Sequence, residues 1–373
     1  MLDINIIMNK REQVQLEALK ALQNTSGNCT LDITMRVGKT KIALDYIDWY
    51  SRLCPNKRVL WIADNTLERD KDLPEEAARW NKSLDKVDIV HWRSMHTVLP
   101  DSYGLVIFNE CQNITPNLCG YLHGFKKTKI IGLTGTYPAY EKAKLLKELR
   151  LNRIAYKYDM DEASDDEVIS NYNLSVVQVP MDSEKNIEVK YDGGTFMTSE
   201  FLSYQSLTKK IDEARSPAQE KFMRLNRMRA VSKFQSKINY TKRVIVENNR
   251  KGLKTLVFAI DNDHAKKIGK YLYSSHTDDK NLNMFNSGEI NYLILVNKGG
   301  TGFTYETPID CIIMLAPNSS NTVLQKVGRG TIKNKTNDLQ VIIPISKDTV
   351  QMDWVRKGFR DVDPSKISIT SIM

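Results

Sequence analysis

The segment Thr34–Thr40, with the sequence TMRVGKT, has the residue types and spacing that most directly predict chemistry. It lies between an apolar run, Cys29–Ile33, and a helical pattern that starts at Lys39. Gly38 lets backbone N–H groups approach phosphate oxygens, and the helix that follows presents its N-terminus to the anion. Lys39 is placed to reach the β and γ phosphates of a nucleoside triphosphate, and the Thr40 hydroxyl is placed to ligate Mg²⁺.

The match to the phosphate-loop consensus G-x-x-x-x-G-K-[ST] is partial. The first glycine of the consensus corresponds to Ile33 in this chain. A strand before the loop and a helix after it favour phosphate binding. The alternative is an ordinary left-handed turn ahead of a helix.

A second candidate lies after the apolar run Leu105–Phe108, which is typical of a buried strand. Asn109 and Glu110 follow that run. A carboxylate at the end of a core strand, next to a phosphate loop, can hold a metal and polarise an attacking water, so Glu110 is the candidate general base. Asn109 stands where an aspartate normally serves the Mg²⁺ shell, and its neutral amide should bind metal more weakly. The alternative is that the two residues only cap a strand.

These residues must be positioned by an alternating set of short apolar runs and longer amphipathic stretches, which predicts an α/β fold with mostly parallel sheets flanked by helices. The predicted strands are Cys29–Ile33, Val59–Ala63, Val87–Val90, Leu105–Phe108, Ile130–Leu133, Val176–Val179, Thr255–Ile260, Tyr292–Val296, Cys311–Leu315 and Val341–Ile345. The predicted helices include Arg11–Leu22, Lys39–Tyr50, the region from Ser216 to about Asn249, and His264–Tyr273.

The 373 residues of the chain suit two domains better than one. The polar, acidic stretch Asp159–Glu167 interrupts the alternation, which restarts after a basic helical segment at about 205–250. We therefore predict domains at 1–168 and 169–373. The acidic stretch is interpreted as a linker or a solvated loop.

The amino-acid composition indicates which classes of binding partner the chain can have. There are 54 Lys plus Arg against 45 Asp plus Glu, a formal charge of +9, which favours contact with a polyanion. No apolar segment is long enough for a membrane span, and the first residues lack the basic start of a signal peptide. The five scattered cysteines form no C-x-x-C pair, so neither a zinc site nor a disulfide framework is predicted. We expect a cytoplasmic protein that does not bind a membrane.

The order of these and further motifs resembles the superfamily 2 helicases over nearly the whole chain. The segments that carry the resemblance are Arg11–Leu19 (opening helix), Thr34–Thr40 (motif I), Val87–Met95, Asn109–Gln112 (acidic box), Gly132–Pro138 (motif III), Thr255–Phe258 with His264 and Ala265 (motif IV), Asn283–Gly288 with Leu293–Val296 and Gly299–Phe303 (motif V), and Gln325–Gly330 (motif VI). The segment Phe222–Arg229 is similar to the phage branch-migration helicases of the UvsW kind and to restriction-type motor subunits.

The resemblance implies two RecA-like domains, with ATP and Mg²⁺ bound in the cleft between them. It also implies a nucleic-acid partner, DNA more than RNA, a monomer, and the cytoplasm of a bacterium or a phage-infected host. The implied nucleotide-binding residues are Gln15, Arg36, Val37, Gly38, Lys39, Thr40 and Gly302. The implied catalytic residues are Glu110, Arg329 and Gln325, and the implied metal-binding residues are Thr40, Asn109 and Glu110. The residues implied in coupling or nucleic-acid contact are Thr134, Thr136, Trp92, Gly300, Thr301, Arg224 and Arg227.

Three departures from the family pattern leave a second function open. Arg36 replaces a glycine of motif I, Asn109 replaces the metal-linked aspartate, and Ile332 stands where motif VI has its second arginine. The first hypothesis is an ATP-dependent helicase or translocase. The alternative is a helicase-like protein that binds nucleic acid or a partner protein with weak or no hydrolysis. A small-molecule kinase also uses G-K-T, but it would not need motifs V and VI.

Overall fold

A computed structural model of the protein describes residues 8–191, 193–296, 307–315, 327–328, 330, 338–360 and 362–372. The chain divides into two compact units, Met1–Asn171 and Tyr172–Met373. Within the described ranges, no helix has the length and apolar character needed to cross a membrane.

The first unit is built on a sheet whose described strands run parallel in the order β3-β2-β4-β5-β1-β6. The central strands are apolar runs that are buried on both faces, as expected for a parallel sheet covered by helices. The strands are β1 (Cys29–Ile33), β2 (Arg58–Ala63), β3 (Val87–His91), β4 (Tyr103–Phe108), β5 (Lys129–Thr134) and β6 (Ile154–Tyr158).

Helices connect these strands, and local sequence sets where they begin. Asn9 caps the first helix and forms a capping box with Glu12, which satisfies backbone donors at both positions. The helices are α1 (Lys10–Asn24), α2 (Lys39–Leu53), α3 (Leu73–Arg79), α4 (Pro116–Leu122), α5 (Tyr140–Glu148) and α6 (Met160–Asp165). A π-helical turn, Glu68–Asp72, leads directly into α3.

The acidic stretch Asp159–Glu167 is not a loop, because most of it forms α6. The Asp159 side chain accepts hydrogen bonds from the backbone N–H groups of Asp161 and Glu162, and Glu162 completes a capping box. Acidic side chains in the first turn also suit the positive end of the helix dipole. This helix belongs to the first unit, which extends to Asn171.

The second unit is built on another parallel sheet, with the described strands in the order β11-β12-β10-β13-β14-β7-β15. Its strands are β7 (Tyr172–Val179), β10 (Thr255–Phe258), β11 (Leu272–Tyr273), β12 (Tyr292–Leu295), β13 (Cys311–Met314), β14 (Leu339–Ser346) and β15 (Ile367–Ser371). An antiparallel hairpin, β8 (Ile187–Tyr191) with β9 (Gly194–Thr198), was not predicted from the sequence.

The predicted basic helical region forms three separate helices instead of one. A turn at Lys233 and Phe234 separates the second of these helices from the third. The helices of this unit are α7 (Glu200–Asp212), α8 (Pro217–Ser232), α9 (Gln235–Arg250), α10 (Asn262–Ile268), α11 (Lys280–Ser287) and α12 (Gln351–Gly358). The predicted helix His264–Tyr273 is wrong in its second half. Extended backbone at Gly269 ends α10, and β11 pairs with β12 instead.

Lys237, one of the basic residues of α9, is fully buried. Its Nζ donates to the backbone oxygen of Leu315 at 3.2 Å and to Oε1 of Gln351 at 3.3 Å. Removal from water disfavours the charged ammonium and lowers the pKa of Lys237 to about 7, although Glu200 opposes the shift. A lysine whose pKa is lower in the folded protein than in the unfolded chain makes the free energy of unfolding depend on pH.

We predict that the free energy of unfolding gained between pH 7 and pH 9 is larger in the wild type than in Lys237→Met. The unfolded chain binds a proton at Lys237 that the folded chain has largely lost in this range, so the wild type gains stability as the pH rises. The expected difference in this gain is about 2 kcal/mol. Urea unfolding of both proteins at the two pH values measures it, and equal gains would contradict the prediction.

Candidate functional site

Three strands of the first sheet bring the predicted site together at one edge. β5 lies between β4 and β1, and all three are parallel. Their carboxyl ends therefore meet at the same edge, where ligands bind in open α/β sheets. The segments that leave this edge begin at Thr34 after β1, Asn109 after β4 and Gly135 after β5.

The loop after β1 turns through two left-handed residues before α2 begins. Arg36 has a φ of 69° and Gly38 a φ of 107°. The backbone N–H of Thr34 donates to the Tyr158 carbonyl at 2.9 Å, which ties the start of the loop to β6. Gly38 is the N-cap residue of α2 and supplies no side-chain hydrogen bond to its first turn. This helix end can therefore present backbone N–H groups and its positive dipole to an anion.

Lys39 lies beside the segment that follows β5. Its Nζ donates to the Ile33 carbonyl at 2.9 Å, and a Cβ added to Gly135 would lie 3.2 Å from the same nitrogen. Glycine at position 135 thus allows the ammonium group to approach the backbone closely. A cation beside the N-terminus of a helix suits a phosphate group.

Gln15 supports the same loop from α1. Its Nε2 donates to the Val37 carbonyl at 2.6 Å, and a Cβ at position 38 would lie only 2.5 Å from that nitrogen. Gly38 is therefore required both by its positive φ and by close packing against Gln15. The structure shows Gln15 as a buried buttress of the loop, while its predicted contact with adenine stays a prediction.

Thr134 and Thr136 hold the turn that carries Gly135. The Thr134 hydroxyl donates to the Thr136 carbonyl at 2.9 Å and accepts from the Thr136 backbone N–H at 3.1 Å. Thr134 is fully buried, so its side chain fixes this turn rather than facing solvent. This turn therefore positions Gly135 beside Lys39.

Asn109 makes an interaction that the sequence did not indicate. Its Nδ2 donates to Oε1 of Glu68 at 2.8 Å. Glu68 also accepts from the Trp61 indole N–H at 2.8 Å and from the Asp64 backbone N–H at 2.8 Å. Burial raises the pKa of Glu68 to about 7, although these three donors oppose the rise. The amide at position 109 therefore complements a buried carboxyl group.

This hydrogen bond draws Asn109 toward β2, whose end precedes Glu68. The phosphate loop follows β1, which lies on the opposite side of β4 from β2. The roles of Thr40, Asn109 and Glu110 as ligands of Mg²⁺ stay predictions, since the bond to Glu68 uses only the amide nitrogen of Asn109. Glu110 has a left-handed backbone, with a φ of 49°, and its Oε2 accepts from Nε2 of Gln112.

Sequence reasoning missed two acidic residues near the site. Asp32 is the one charged residue of β1, and burial raises the pKa of its carboxyl group to about 6 while Lys157 and Lys39 oppose the rise. A single charged residue in a buried strand is a signal that could have identified it. Glu68 carried no such signal, because it lies in a polar stretch of the sequence and only the fold buries it.

The predicted nucleic-acid residues lie in different environments. Trp92 packs against the core of the first unit, with the Arg93 guanidinium 5.1 Å from its ring centroid. Arg224 is exposed and paired with Glu220 on α8. Arg227 is buried and donates to the Thr208 hydroxyl at 3.0 Å, so it joins α8 to α7. The described residues therefore place Arg224, but not Arg227, where a phosphate backbone could reach it.

Five predicted site residues lie outside the described residues, as does Ile332. They are Gly300, Thr301, Gly302, Gln325 and Arg329. Their assigned roles stay predictions.

Comparison with known protein families finds no family that matches this sequence. Comparison with curated proteins finds no match either. Among solved structures, the chain is similar to the crystal structure of the Pyrococcus furiosus Hef helicase domain, with a TM-score of 0.50 and 14% sequence identity. The match covers 94% of this chain and 99% of that one. It confirms the α/β prediction, with two mostly parallel sheets of the RecA-like type flanked by helices.

The left-handed backbone at Arg36 predicts a difference between two substitutions. Arg36→Gly should have a free energy of unfolding about 1 kcal/mol higher than that of Arg36→Ala, because only glycine adopts this conformation without strain. Both variants remove the guanidinium, so the charge is matched. Urea unfolding measures the difference, and equal stabilities would argue against strain at this position.

The Asn109–Glu68 hydrogen bond predicts that Asn109→Asp destabilises the protein more at pH 8 than at pH 5.5. Two facing carboxyl groups can share a proton below the pKa of Glu68, about 7, and repel each other above it. The facing carboxyl groups have higher pKa values in the folded variant than in the unfolded chain, so the free energy of unfolding falls as the pH rises. We expect the pH-dependent part to be about 2 kcal/mol by urea unfolding.

The matched control is Asn113→Asp, because Asn113 donates to Asp64 at 2.9 Å in an exposed pair and should show a smaller effect. Adding Glu68→Gln to Asn109→Asp should recover part of the loss at pH 8, since an amide again faces a carboxylate. If the losses in free energy of unfolding caused by Asn109→Asp and Glu68→Gln simply add in this double-mutant cycle, the proposed coupling between the two side chains is rejected.

Proposed function

We propose that the chain is an ATP-dependent nucleic-acid helicase or translocase, and that its substrate is DNA. The observation that carries this proposal is the loop between β1 and α2. There the N-terminus of α2, the left-handed Gly38 and the Lys39 ammonium lie together, and Lys39 approaches Gly135 closely. This combination suits a nucleoside triphosphate. The fold, similar to that of a helicase domain, and the order of the motifs favour a motor over a small-molecule kinase.

In the proposed reaction, the backbone of the loop and the start of α2 bind the phosphates, and Lys39 exchanges its bond with the Ile33 carbonyl for phosphate oxygens. Gln15 holds the loop in this shape through Val37. Because the loop is already formed by internal contacts, little reorganisation is needed when the nucleotide binds.

Hydrolysis requires a group that accepts a proton from water as it attacks the terminal phosphorus. We assign this role to Glu110, whose carboxylate is oriented by Gln112 at the edge of the sheet. Mg²⁺, held by Thr40 and Glu110, would neutralise phosphate charge. We assign Asn109 a positioning role through Glu68 rather than a place among the metal ligands. The motif-based assignments of Gln325 and Arg329 to catalysis complete the proposal.

Nucleic acid would bind through its phosphates. Support comes from the formal charge of +9 and from exposed basic side chains on α7, α8 and α9. The exposed basic residues of this segment are Lys209, Lys210, Arg215, Lys221, Arg224, Arg229, Lys242, Arg243 and Arg250. Lys237 and Arg227 are buried and are excluded from this surface. A branched-DNA substrate, as the resemblance to UvsW-like helicases implies, is part of this proposal.

A second candidate function is favoured by one observation. Asn109 binds the buried Glu68 instead of offering a carboxylate at this position, so the chain as it stands suits nucleotide binding better than rapid hydrolysis. Under this alternative the protein binds nucleic acid or a partner protein in a nucleotide-dependent way and turns over slowly. Brisk turnover by the wild type in the presence of nucleic acid would eliminate this candidate.

The central test measures ATP hydrolysis by the wild type with single-stranded, duplex and branched DNA and with matching RNA. We expect stimulation by DNA, and a loss of roughly 100-fold or more in Lys39→Ala because a positioned cation on the phosphates is removed. Lys41→Ala is the matched control. Lys41 lies in the same helix and pairs with Asp45 at 2.8 Å, so its loss should change the rate by no more than about twofold.

Nucleotide binding and thermal unfolding, measured on the same proteins, separate lost chemistry from lost folding. Absence of both ATP binding and nucleic-acid binding in the wild type would refute the helicase proposal. ATP binding without nucleic-acid stimulation would redirect it toward a kinase-like enzyme.

A further inference from the structure

A cluster of three side chains, Cys119, His123 and Glu148, lies on the first unit and has no part in the proposed ATP site. Cys119 and His123 come from α4 and its C-terminal end, and Glu148 is the last residue of α5. Cys119 is buried, whereas His123 and Glu148 have 52% and 56% of their side-chain surfaces exposed. We call these three residues the sulfur–imidazole–carboxylate cluster.

The three potential ligand atoms form a nearly equilateral triangle. The Cys119 sulfur lies 3.8 Å from Nε2 of His123 and 3.7 Å from Oε2 of Glu148. Nε2 of His123 lies 3.6 Å from the same carboxylate oxygen. Tetrahedral zinc, with bonds of about 2.3 Å to sulfur and 2.0–2.1 Å to nitrogen and oxygen, would separate such ligands by roughly 3.3–3.6 Å. Shifts of a few tenths of an ångström would therefore close the triangle around a metal.

The helical scaffold explains why these ligands converge. A spacing of four residues places Cys119 and His123 on one face of α4, one above the other. α5 packs alongside and brings Glu148 to this face. In the absence of metal, Sγ of Cys119 also donates to the Leu145 carbonyl at 3.6 Å, which keeps the sulfur directed at the end of α5.

The charges also suit a divalent cation. Cysteine binds a metal as its thiolate, and a bound cation favours loss of the thiol proton. One thiolate, one carboxylate and one neutral imidazole then balance a double positive charge, and the exposed side of the cluster leaves a coordination position for water.

We propose that the sulfur–imidazole–carboxylate cluster binds a zinc-class divalent cation, which clamps the end of α4 to the end of α5. α4 follows the turn that contains Asn109 and Glu110, and α5 follows the turn that contains Gly135. The cation would therefore fasten together the two helices behind these turns. This proposal does not depend on the ATPase function, because it concerns metal binding by the folded chain.

Titration with Co²⁺ tests the proposal, because tetrahedral cobalt with a thiolate ligand has visible ligand-field bands and a near-ultraviolet sulfur-to-metal charge-transfer band. We expect both signals in the full-length wild type at one equivalent of metal, and their displacement by Zn²⁺. Cys119→Ser should abolish the charge-transfer band. His123→Ala, at an exposed position that folding should tolerate, should weaken binding more than roughly tenfold.

Cys54→Ser is the matched control, since Cys54 is a partly exposed cysteine outside the cluster and its loss should leave both signals unchanged. Zn²⁺ should also raise the unfolding temperature of the wild type and of Cys54→Ser, but not that of His123→Ala, and a chelator should reverse the effect. Absence of a charge-transfer band in the wild type would overturn the proposal. A band that persists in Cys119→Ser or binding unchanged in His123→Ala would overturn it equally.

Discussion

Parallel pairing of buried strands is the constraint on which the rest of the first unit depends. Parallel strands require long crossover connections, and they bring every carboxyl end to one edge of the sheet. β1, β5 and β4 are adjacent, so the phosphate loop, the Thr134–Thr136 turn and the Asn109–Glu110 turn reach the same edge. The candidate chemistry is therefore assembled from segments that lie far apart along the chain. The apolar strands supply the burial that keeps them in place.

At this edge the protein carries local strain and buried charge. Arg36 and Glu110 adopt left-handed backbones, a conformation that is unfavourable for residues with side chains and that is often found at functional sites. Asp32 and Glu68 are acidic groups whose pKa values are raised by burial. The surrounding packing holds these features, since Gln15 buttresses the loop and Trp61 binds Glu68. The amide of Asn109 thus donates to the buried carboxyl group of Glu68, which an aspartate at position 109 would repel.

The second unit shows how the fold sorts a run of basic residues. Along the sequence, the residues of α7 to α9 form one basic segment. In the structure, Lys237 turns inward to the Leu315 carbonyl and Gln351, and Arg227 stacks over Tyr204 and joins α8 to α7. The remaining cations of these helices are exposed to solvent. Burial of a charge is costly without partners, so the inward-facing residues act in packing and hydrogen bonding.

The sequence by itself determined the α/β class, the bounds of β1 and the start of α2, because these follow from local periodicity and from the special backbone freedom of Gly38. The order of the motifs along the sequence also supports the proposal of a helicase-like function. Only the tertiary structure decided the partner of Asn109, the inward direction of Lys237 and the strand at Leu272–Tyr273. It alone brought Cys119, His123 and Glu148 together. Each of these depends on which side chains the packing buries or brings into contact across the chain, and local sequence patterns do not encode such distant neighbours.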